Sequence, residues 1–489
     1  MIEKYYSGVI EQIYNRIGKE TRNIGMANYS NDFSIENLEV IRRYQSNEDN
    51  VFFAYSEFSY NTLVGAYEPF LDIICNMHRR FIGGSFDDFQ KECGVYYLHR
   101  QVLNSYYETG ECFREETVLL NEVAYEQRRM TMAIADMLKK LSEVKPLMIV
   151  INRFQMASKS SIETIKYLID NPCANIGIVL GVNAIVKGTD STVEVWDRIV
   201  ESLEDRSAIY YIGSAGPLKN NVKTTNDDEL YITMNFEQSI QEASNIMEFL
   251  DFEQARRGCR IIEHKLKFED AWIDEKSLRR FYMVYARTSV LLGEMSKAIE
   301  LTNEYKALIP ENDSEHYLSL YYFMKGTCYM YQGKLEKAGN SAKSAYDYAV
   351  LAEDDTLIFK AELLSVMIKM SGWYNIFFCV QDIPVSDEII EKLIKHGYRN
   401  HLAHIYIYAY DNSRDVVKQS FYDESLLKHF TKGLELAKEI GNEQLVYDAY
   451  QKTIMLASTS GLNEIAFLYV IRTYEFMKGH GNIYVARLQ

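Results

Sequence analysis

The chain has 489 residues, with 53 Lys plus Arg against 69 Asp plus Glu, and a formal charge of −16 at neutral pH. At roughly 100–200 residues per domain, this length predicts two to four domains. Because nucleic-acid binding depends mainly on basic side chains that neutralise phosphates, the charge disfavours direct binding to DNA or RNA.

The seven cysteines include no CxxC pair, which is typical of reduced thiols in a cytosolic protein. The amino terminus carries charges and tyrosines where a signal peptide would be apolar, and no apolar run reaches about 18 residues. We therefore expect a cytoplasmic protein with neither export nor membrane insertion.

Residues 1–235 are predicted to form an α/β domain with a small parallel sheet. Apolar runs without alternation, which are typical of strands buried on both faces, lie at 51–55, 147–151, 176–180 and 208–212. Ser160 and Glu163 have capping-box spacing and predict a helix that ends at Asn171-Pro172. A second amphipathic helix is predicted from Glu116 to Leu141.

Residues 236–489 are predicted to form repeated helical hairpins. The segment that begins at Gly293 recurs at Gly333, and the segment 435–442 recurs with the same spacing at 475–482. A fixed period of about 40 residues indicates stacked hairpins. Fainter copies predict further turns near Leu250 and Gly372.

Small residues at Gly326 and Ala338 are expected where two helices of one hairpin approach closely, and Gly293 and Gly333 are expected at turns. This pattern of small and large residues resembles the tetratricopeptide repeat. The resemblance implies an all-α superhelix, whose pattern we expect to continue beyond Gln489.

Phosphate binding by a P-loop requires G-x-x-x-x-G-K-[ST], whose backbone N–H groups and Lys hold the phosphates. The Gly18-Lys19 pair is followed by Glu20 and has Ile13 in place of the leading glycine. The sequence therefore predicts no P-loop.

Residues 147–183 resemble the Walker B region of STAND-type signalling ATPases. The apolar strand, the turn at 155–158, the helix and the returning strand keep the family's spacing. In place of the family's two acidic residues stand Asn152 and Arg153. An amide beside a guanidinium would repel Mg²⁺ rather than bind it, so the resemblance implies a degenerate NTPase-like domain without ATP hydrolysis and without a cofactor.

The resemblance extends to domain order, since helical repeats follow the ATPase module in the sensor halves of large bacterial regulators. We predict a non-catalytic signalling or scaffold module. One alternative is the sensory fragment of a larger diguanylate cyclase or kinase, and another is a fragment of a maltose-activator-type transcriptional regulator. A further alternative is nucleotide binding without hydrolysis. No GGDEF string, kinase motif or basic helix-turn-helix is visible in the chain.

In tetratricopeptide folds the first helix of each hairpin lines the concave face, and the resemblance implies partner contacts there. The matching positions are Arg280, Met283, Arg287, Phe323, Thr327, Met330 and Tyr331, with Glu362 and Lys369 in the next repeat. Their mixed aromatic and charged character favours a protein or peptide ligand. Self-association stays possible, and packing against neighbouring helices is the alternative role of these residues.

No catalytic or metal-binding residues are predicted. His396, His401 and His404 have helical spacing, but the sequence assigns them no acidic or cysteine partner, and surface or interface histidines are the simpler interpretation. Cys112 and Cys259 have no assignable base for nucleophilic chemistry.

Overall fold

The computed structural model describes residues 2–21, 23–29, 38–46, 50–59, 63–116, 118–183, 186–187, 223–224, 235–268, 273–312, 314–374, 387–409, 424–459 and 461–479. The chain divides into two compact units, which are described separately. Unit 1 comprises Met1–Val95, His99–Arg114 and Val123–Leu292. Unit 2 comprises Tyr96–Leu98, Glu115–Glu122 and Gly293–Gln489. The domain boundary predicted between residues 235 and 236 stays a prediction.

Unit 1 contains a four-stranded, all-parallel sheet in the order β1-β4-β3-β2. Its strands are β1 (Ile24–Tyr29), β2 (Phe52–Glu57), β3 (Leu147–Asn152) and β4 (Ile176–Asn183). All six residues of β3 are buried, as its unbroken apolar run predicts for a central strand. Three predicted strands are thus confirmed, and the fourth, at 208–212, lies outside the described residues.

The helices of unit 1 extend along the chain to residue 291. They are α1 (Ile2–Arg16), α2 (Glu39–Gln45), α3 (Phe70–Met77), α4 (Phe86–Glu92), α5 (Tyr97–Thr109), α6 (Val123–Val144), α7 (Lys159–Asp170), α8 (Phe236–Glu248), α9 (Phe252–Phe268) and α10 (Glu275–Leu291). A π-helical turn, His78–Ile82, follows α3, and a 3₁₀ turn, Phe154–Met156, follows β3. Two short strands, β5 (Val186–Lys187) and β6 (Lys223–Thr224), form a separate parallel pair.

Strand β1 was not predicted, because Gly25 interrupts its run of apolar residues. A Cβ atom at Gly25 would lie 3.3 Å from Val9 Cγ1 and 3.5 Å from Ile13 Cδ1. The glycine therefore lets α1 pack closely on the sheet, where Val9 and Ile13 belong to the buried core.

Two predicted helix starts are wrong by a few residues. The helix predicted from the Ser160 capping box begins at Lys159, and its cap is Ser158, whose side chain accepts the N–H of Ser161. The helix predicted from Glu116 begins at Val123, after a 3₁₀ turn at Leu120–Glu122. The predicted end before Asn171-Pro172 is confirmed, since α7 ends at Asp170.

Unit 2 is a stack of helices that follow one another along the chain. They are α11 (Met295–Ala307), α12 (Ser314–Tyr331), α13 (Leu335–Leu351), α14 (Asp355–Tyr374), α15 (Asp387–Lys395), α16 (Arg399–His404), α17 (Glu424–Ile440), α18 (Glu443–Thr459) and α19 (Asn463–Gly479). A π-helical turn, Ile405–Ala409, follows α16. Successive helices from α11 to α14 pack on their neighbours, as do those from α17 to α19, so the predicted hairpin architecture is confirmed.

Glycines at two positions allow this packing. A Cβ atom at Gly326 in α12 would lie 3.4 Å from the carbonyl oxygen of Ala338 in α13 and 3.1 Å from Leu364 Cδ2 in α14, which confirms the predicted close approach. Gly333, in the turn between α12 and α13, has φ of 70°, a conformation that favours glycine. Gly372, where a further turn was predicted to begin, lies within α14, which ends at Tyr374; the rest of that predicted turn, to residue 377, lies outside the described residues.

No helix within the described ranges is both long and apolar enough to cross a membrane.

Candidate functional site

The carboxyl end of β3 is where the Walker B resemblance predicted a degenerate nucleotide site. Asn152, the last residue of this strand, is fully buried. Its Oδ1 lies 2.7 Å from the position that a Cβ atom would take at Gly181 in β4, and the hydroxyl of Tyr6 from α1 lies over the same glycine. The space directly beside the β3 tip is therefore filled by protein side chains.

Arg153 follows in a left-handed conformation, with φ of 54°. Its Nη1 lies 3.2 Å from Glu57 Oε1 at the end of the adjacent strand β2, and also donates to the carbonyl of Phe58 at 3.4 Å. The hydroxyl of Tyr55 donates to the other oxygen of the Glu57 carboxylate. A carboxylate thus exists at this edge, on β2 rather than β3, and its charge is balanced by Arg153.

A pocket of about 470 Å³ in unit 1 has a strongly acidic lining. Glu68 and Asp72 reach it from the start of α3 and the preceding turn, and Glu242 from α8. The Gly65 N–H donates to Glu68 Oε2 at 2.9 Å, and the Tyr106 hydroxyl donates to Asp72 Oδ1 at 2.9 Å. Among the described residues that line the pocket, none is a lysine or an arginine.

These carboxyl groups affect one another's protonation. Burial, followed by the charges of Glu68 and Asp72, raises the pKa of Glu242 to about 7. Burial also raises the pKa of Glu68, although its hydrogen bond from Gly65 opposes the shift. Glu242 therefore titrates near neutral pH. Sequence reasoning missed this pocket, because Glu242 lies far along the chain from the other two acids and no local motif links them.

The predicted partner-binding residues fall into two sets. Arg280, Met283 and Arg287 lie on α10 in unit 1. The guanidinium of Arg280 donates to Gln241 Oε1, and that of Arg287 donates to Glu248 Oε1 at 2.8 Å. Both acceptors belong to α8, so these two arginines help to join α8 to α10.

Phe323, Thr327, Met330 and Tyr331 lie on α12 in unit 2. Met330 is buried, and Phe323 and Tyr331 pack partly buried against the same α12–α14 cluster. The Tyr331 hydroxyl accepts the N–H of Leu120 at 3.2 Å, and the Thr327 hydroxyl donates to the Phe323 carbonyl at 2.9 Å. On α14, Glu362 forms an ion pair with Lys392 at 2.7 Å and Lys369 is exposed. Partner contact by these residues stays a prediction.

Unit 2 also contains a buried polar cluster that the sequence did not predict. The carboxylate of Glu116 accepts the backbone N–H groups of Asn400 and His401 at 3.1 and 2.5 Å, and lies 2.6 Å from His401 Nδ1. It therefore caps the amino end of α16, where the helix dipole favours negative charge.

The second carboxylate of the cluster is Glu122. It contacts His404 Nε2 at 2.9 Å and accepts hydrogen bonds from Asn442 Nδ2 at 3.0 Å and Asn400 Nδ2 at 3.3 Å. Although burial opposes the shift, the charge and hydrogen bond of His404 and the two amides lower the pKa of Glu122 to about 2. Burial opposes a charge on His404, but the charge and hydrogen bond of Glu122 outweigh this effect, so the pKa of His404 is raised.

The interpretation of His401 and His404 as surface or interface residues without acidic partners is wrong. Both are buried, and their carboxylates lie 285 and 282 residues earlier in the chain. His396 stacks on Phe359 instead. Within the described ranges, no group of three or more His, Cys, Asp or Glu side chains is arranged to hold a metal ion. The cluster joins the segment 115–122 to α16 and α18.

A scan against protein-family models and a search of curated proteins gave no match. A search of solved structures found a Rap protein complexed with competence and sporulation factor, with 11% identity over 84% of this chain and 98% of that chain, at a TM-score of 0.35. It also found a STAND protein with a tetratricopeptide repeat sensor from Pyrococcus horikoshii, with 13% identity over 96% of this chain and 82% of that chain, at a TM-score of 0.42. Both TM-scores are low, and we base no assignment on either similarity.

Proposed function

We propose that this chain is a non-catalytic signalling or scaffold module of the cytosol that binds a protein or peptide partner through its helical hairpins. The α/β part would be a degenerate relative of STAND-type ATPases that has lost hydrolysis. The arrangement at the tip of β3 carries this proposal. A hydrolytic site of that type needs a carboxylate there to hold or orient Mg²⁺ and its waters.

The residues at the tip oppose metal binding in two ways. Asn152 is buried beneath Tyr6 and over Gly181, so its amide has no space in which to coordinate a hydrated cation. Arg153 places a permanent positive charge 3.2 Å from Glu57, a carboxylate at this edge. Mg²⁺ would have to displace that guanidinium before it could use Glu57 as a ligand.

Isothermal titration with ATP and Mg²⁺, together with a phosphate-release assay, tests the loss of hydrolysis. We expect no turnover by the full chain or by Asn152→Ala. Phosphate release by the wild-type chain that Asn152→Ala or Arg153→Ala abolishes would contradict the proposal. Binding of ADP without turnover would support the alternative in which nucleotide is a structural ligand, and a thermal shift would detect it.

Helical hairpins support the binding part of the proposal, because stacked repeats create extended surfaces of the kind that recognise proteins and peptides. On α10, Arg280 is exposed and Met283 and Arg287 are half-buried. On α12, Phe323, Thr327 and Tyr331 are half-buried. Each set offers apolar surface beside a polar group, which suits a peptide ligand better than a metabolite.

Quantitative affinity capture from the native cytosol tests the two sets independently. For α12, we expect Thr327→Glu to reduce capture of a specific protein at least about tenfold, because the new charge would be buried against the partner in the complex. Asn340→Glu, at an exposed position on α13, is the matched control and should leave capture unchanged. For α10, Arg280→Ala is compared with Lys306→Ala on α11. If every variant captures as much of the protein as the wild-type chain does, the predicted surface does not bind the partner.

A further inference from the structure

Helix α19 has two apolar faces, and among the described residues of unit 2 only one of these faces is packed against other side chains. Ala466 and Thr473 are buried on the first face. Tyr450 of α18 contacts the same side, with its ring centroid 5.7 Å from that of Tyr469 and 6.0 Å from that of Phe476. This face accounts for the attachment of α19 to α18.

The opposite face exposes large apolar side chains over more than two turns. The exposed fractions are 66% for Phe467, 46% for Leu468, 46% for Val470, 40% for Ile471 and 66% for Tyr474. At roughly 200 Å² for a fully exposed aromatic side chain and about 100 Å² for an aliphatic one, these residues present about 400 Å² of contiguous apolar surface. We call these five residues the α19 face.

The area matches what a stable dimer requires. A standard interface buries about 800 Å² on each partner, of which roughly 57% is apolar, or about 450 Å². The α19 face alone supplies nearly this amount, and its polar neighbours can supply the rim. A patch of about 400 Å² is comparable to the largest apolar patch on a typical monomer, and such patches are often functional.

Charges at the two ends of the face favour a second copy of this chain as the occupant. Glu464 and Lys478 are both exposed. They are separated by about four helical turns, so they lie on the same side of the helix about 21 Å apart. In an antiparallel pair with two-fold symmetry, a residue opposes its counterpart at an equal distance from the centre. With Ile471 at the centre, Glu464 lies beside Lys478 of the partner subunit, and Lys478 lies beside Glu464 of the partner subunit.

We propose that two copies of the chain associate through the α19 face, with the two α19 helices antiparallel and crossing at Ile471. The same register brings Leu468 against Tyr474 of the partner subunit, so an aliphatic and an aromatic side chain meet on each side of Ile471. Two equivalent Glu–Lys pairs close its ends. A partner of different sequence would have to reproduce both the apolar stripe and the reversed charges, whereas a second copy has them by symmetry.

Sedimentation velocity and light scattering of the full chain test the dimer. Because interfaces of standard size have dissociation constants from the micromolar range downward, we expect the mass to rise from one chain to two as the concentration increases from about 1 to about 100 µM. Phe467→Glu and Tyr474→Glu should each weaken association at least about 100-fold, because each change enters the contact twice. Leu351→Glu, at a position in α13 that is 67% exposed, is the matched control and should leave association unchanged.

Charge reversal tests the register without altering the apolar face. Glu464→Lys or Lys478→Glu alone should weaken association roughly tenfold, since like charges then meet at both ends. The double variant Glu464→Lys with Lys478→Glu should restore it. Circular dichroism of each variant checks that the helices are retained.

Three results would overturn the proposal. A monomer at every concentration would show that a second copy does not occupy the face. A dimer that Phe467→Glu and Tyr474→Glu leave unchanged would use a different surface. A dimer that the double reversal does not restore would contradict the antiparallel arrangement.

Discussion

Replacing Glu242 by Gln should stabilise unit 1 at alkaline pH and have little effect in acid. Glu242 lines the acidic pocket with Glu68 and Asp72, and burial with these charges raises its pKa to about 7 from 4.5. The folded state therefore keeps a proton on Glu242 between about pH 4.5 and pH 7, where the unfolded chain has lost it. Stability must fall as the pH rises through this window.

The shift sets the size of the effect. A difference of about 2.5 pKa units corresponds to roughly 3 kcal/mol of penalty above pH 7. Because the pocket opens to solvent, we expect about 1–3 kcal/mol of it to be realised. A glutamine has nearly the same shape as the protonated carboxyl group and carries no charge. Glu242→Gln should therefore recover this free energy at pH 8 and about zero at pH 4.5.

Thermal unfolding and hydrogen exchange of peptides from α8 measure the change. For a unit of this size, the gain predicts a rise in melting temperature of roughly 2–8 °C at pH 8. Glu237→Gln, at an exposed position in the first turn of α8, is the control. It should lower stability slightly at pH 8, because it removes a negative charge from the helix amino end.

The comparison between the two pH values decides the outcome. Equal stabilisation at pH 4.5 and pH 8 would show that the amide packs better than the acid and that titration is not the cause. Destabilisation at pH 8 would mean that the ionised carboxylate is held by a positive group.

Three further changes test other parts of the fold. Glu122→Gln leaves buried His404 without its counter-charge and should destabilise unit 2 by about 3–5 kcal/mol. The control Glu439→Gln breaks an exposed ion pair and should cost about 0–1 kcal/mol. Urea unfolding at pH 6 measures the stability of both variants. Gly326→Ala should cost about 1 kcal/mol because the new methyl group meets Leu364, whereas Gly339→Ala, at an open helical position, should gain about 0.5–1 kcal/mol. Burial raises the pKa of the Cys328 thiol to about 12, so its alkylation at pH 8 should be at least about tenfold slower in the native chain than after unfolding, as peptide mass spectrometry would reveal.

Residues whose environment depends on nearby sequence were predictable. The run at 147–151 has no polar interruption, and it forms the buried central strand β3. The recurrence of one segment at a fixed spacing predicted the turns at Gly293 and Gly333, both of which have positive φ. In each case the signal lies within one element or one repeat, where spacing directly reflects the periodicity of the backbone.

Residues whose environment depends on distant segments were not predictable. Glutamates such as Glu116 and Glu122 are common on solvent-exposed helix surfaces, and the sequence placed Glu116 at the start of a long helix. Their carboxylates instead bind groups of Asn400 and Asn442. Nothing in the sequence around either acid distinguishes it from an exposed glutamate, since burial here is decided by contacts with segments far away along the chain.

One repeat position shows how such a site can arise without changing the hairpin fold. Gly293 and Gly333 are followed by Glu294 and Lys334, whose side chains make no capping bond to the helices they precede. Gly441 occupies the same place in its turn, but Asn442 follows it. Asn442 accepts the N–H of Leu445 at 2.9 Å and donates to Glu122 and to Asn400. A short amide can perform both tasks because its oxygen caps the helix while its nitrogen remains available. The repeat therefore specifies the turn, and the residue after the glycine determines whether that turn anchors a distant segment.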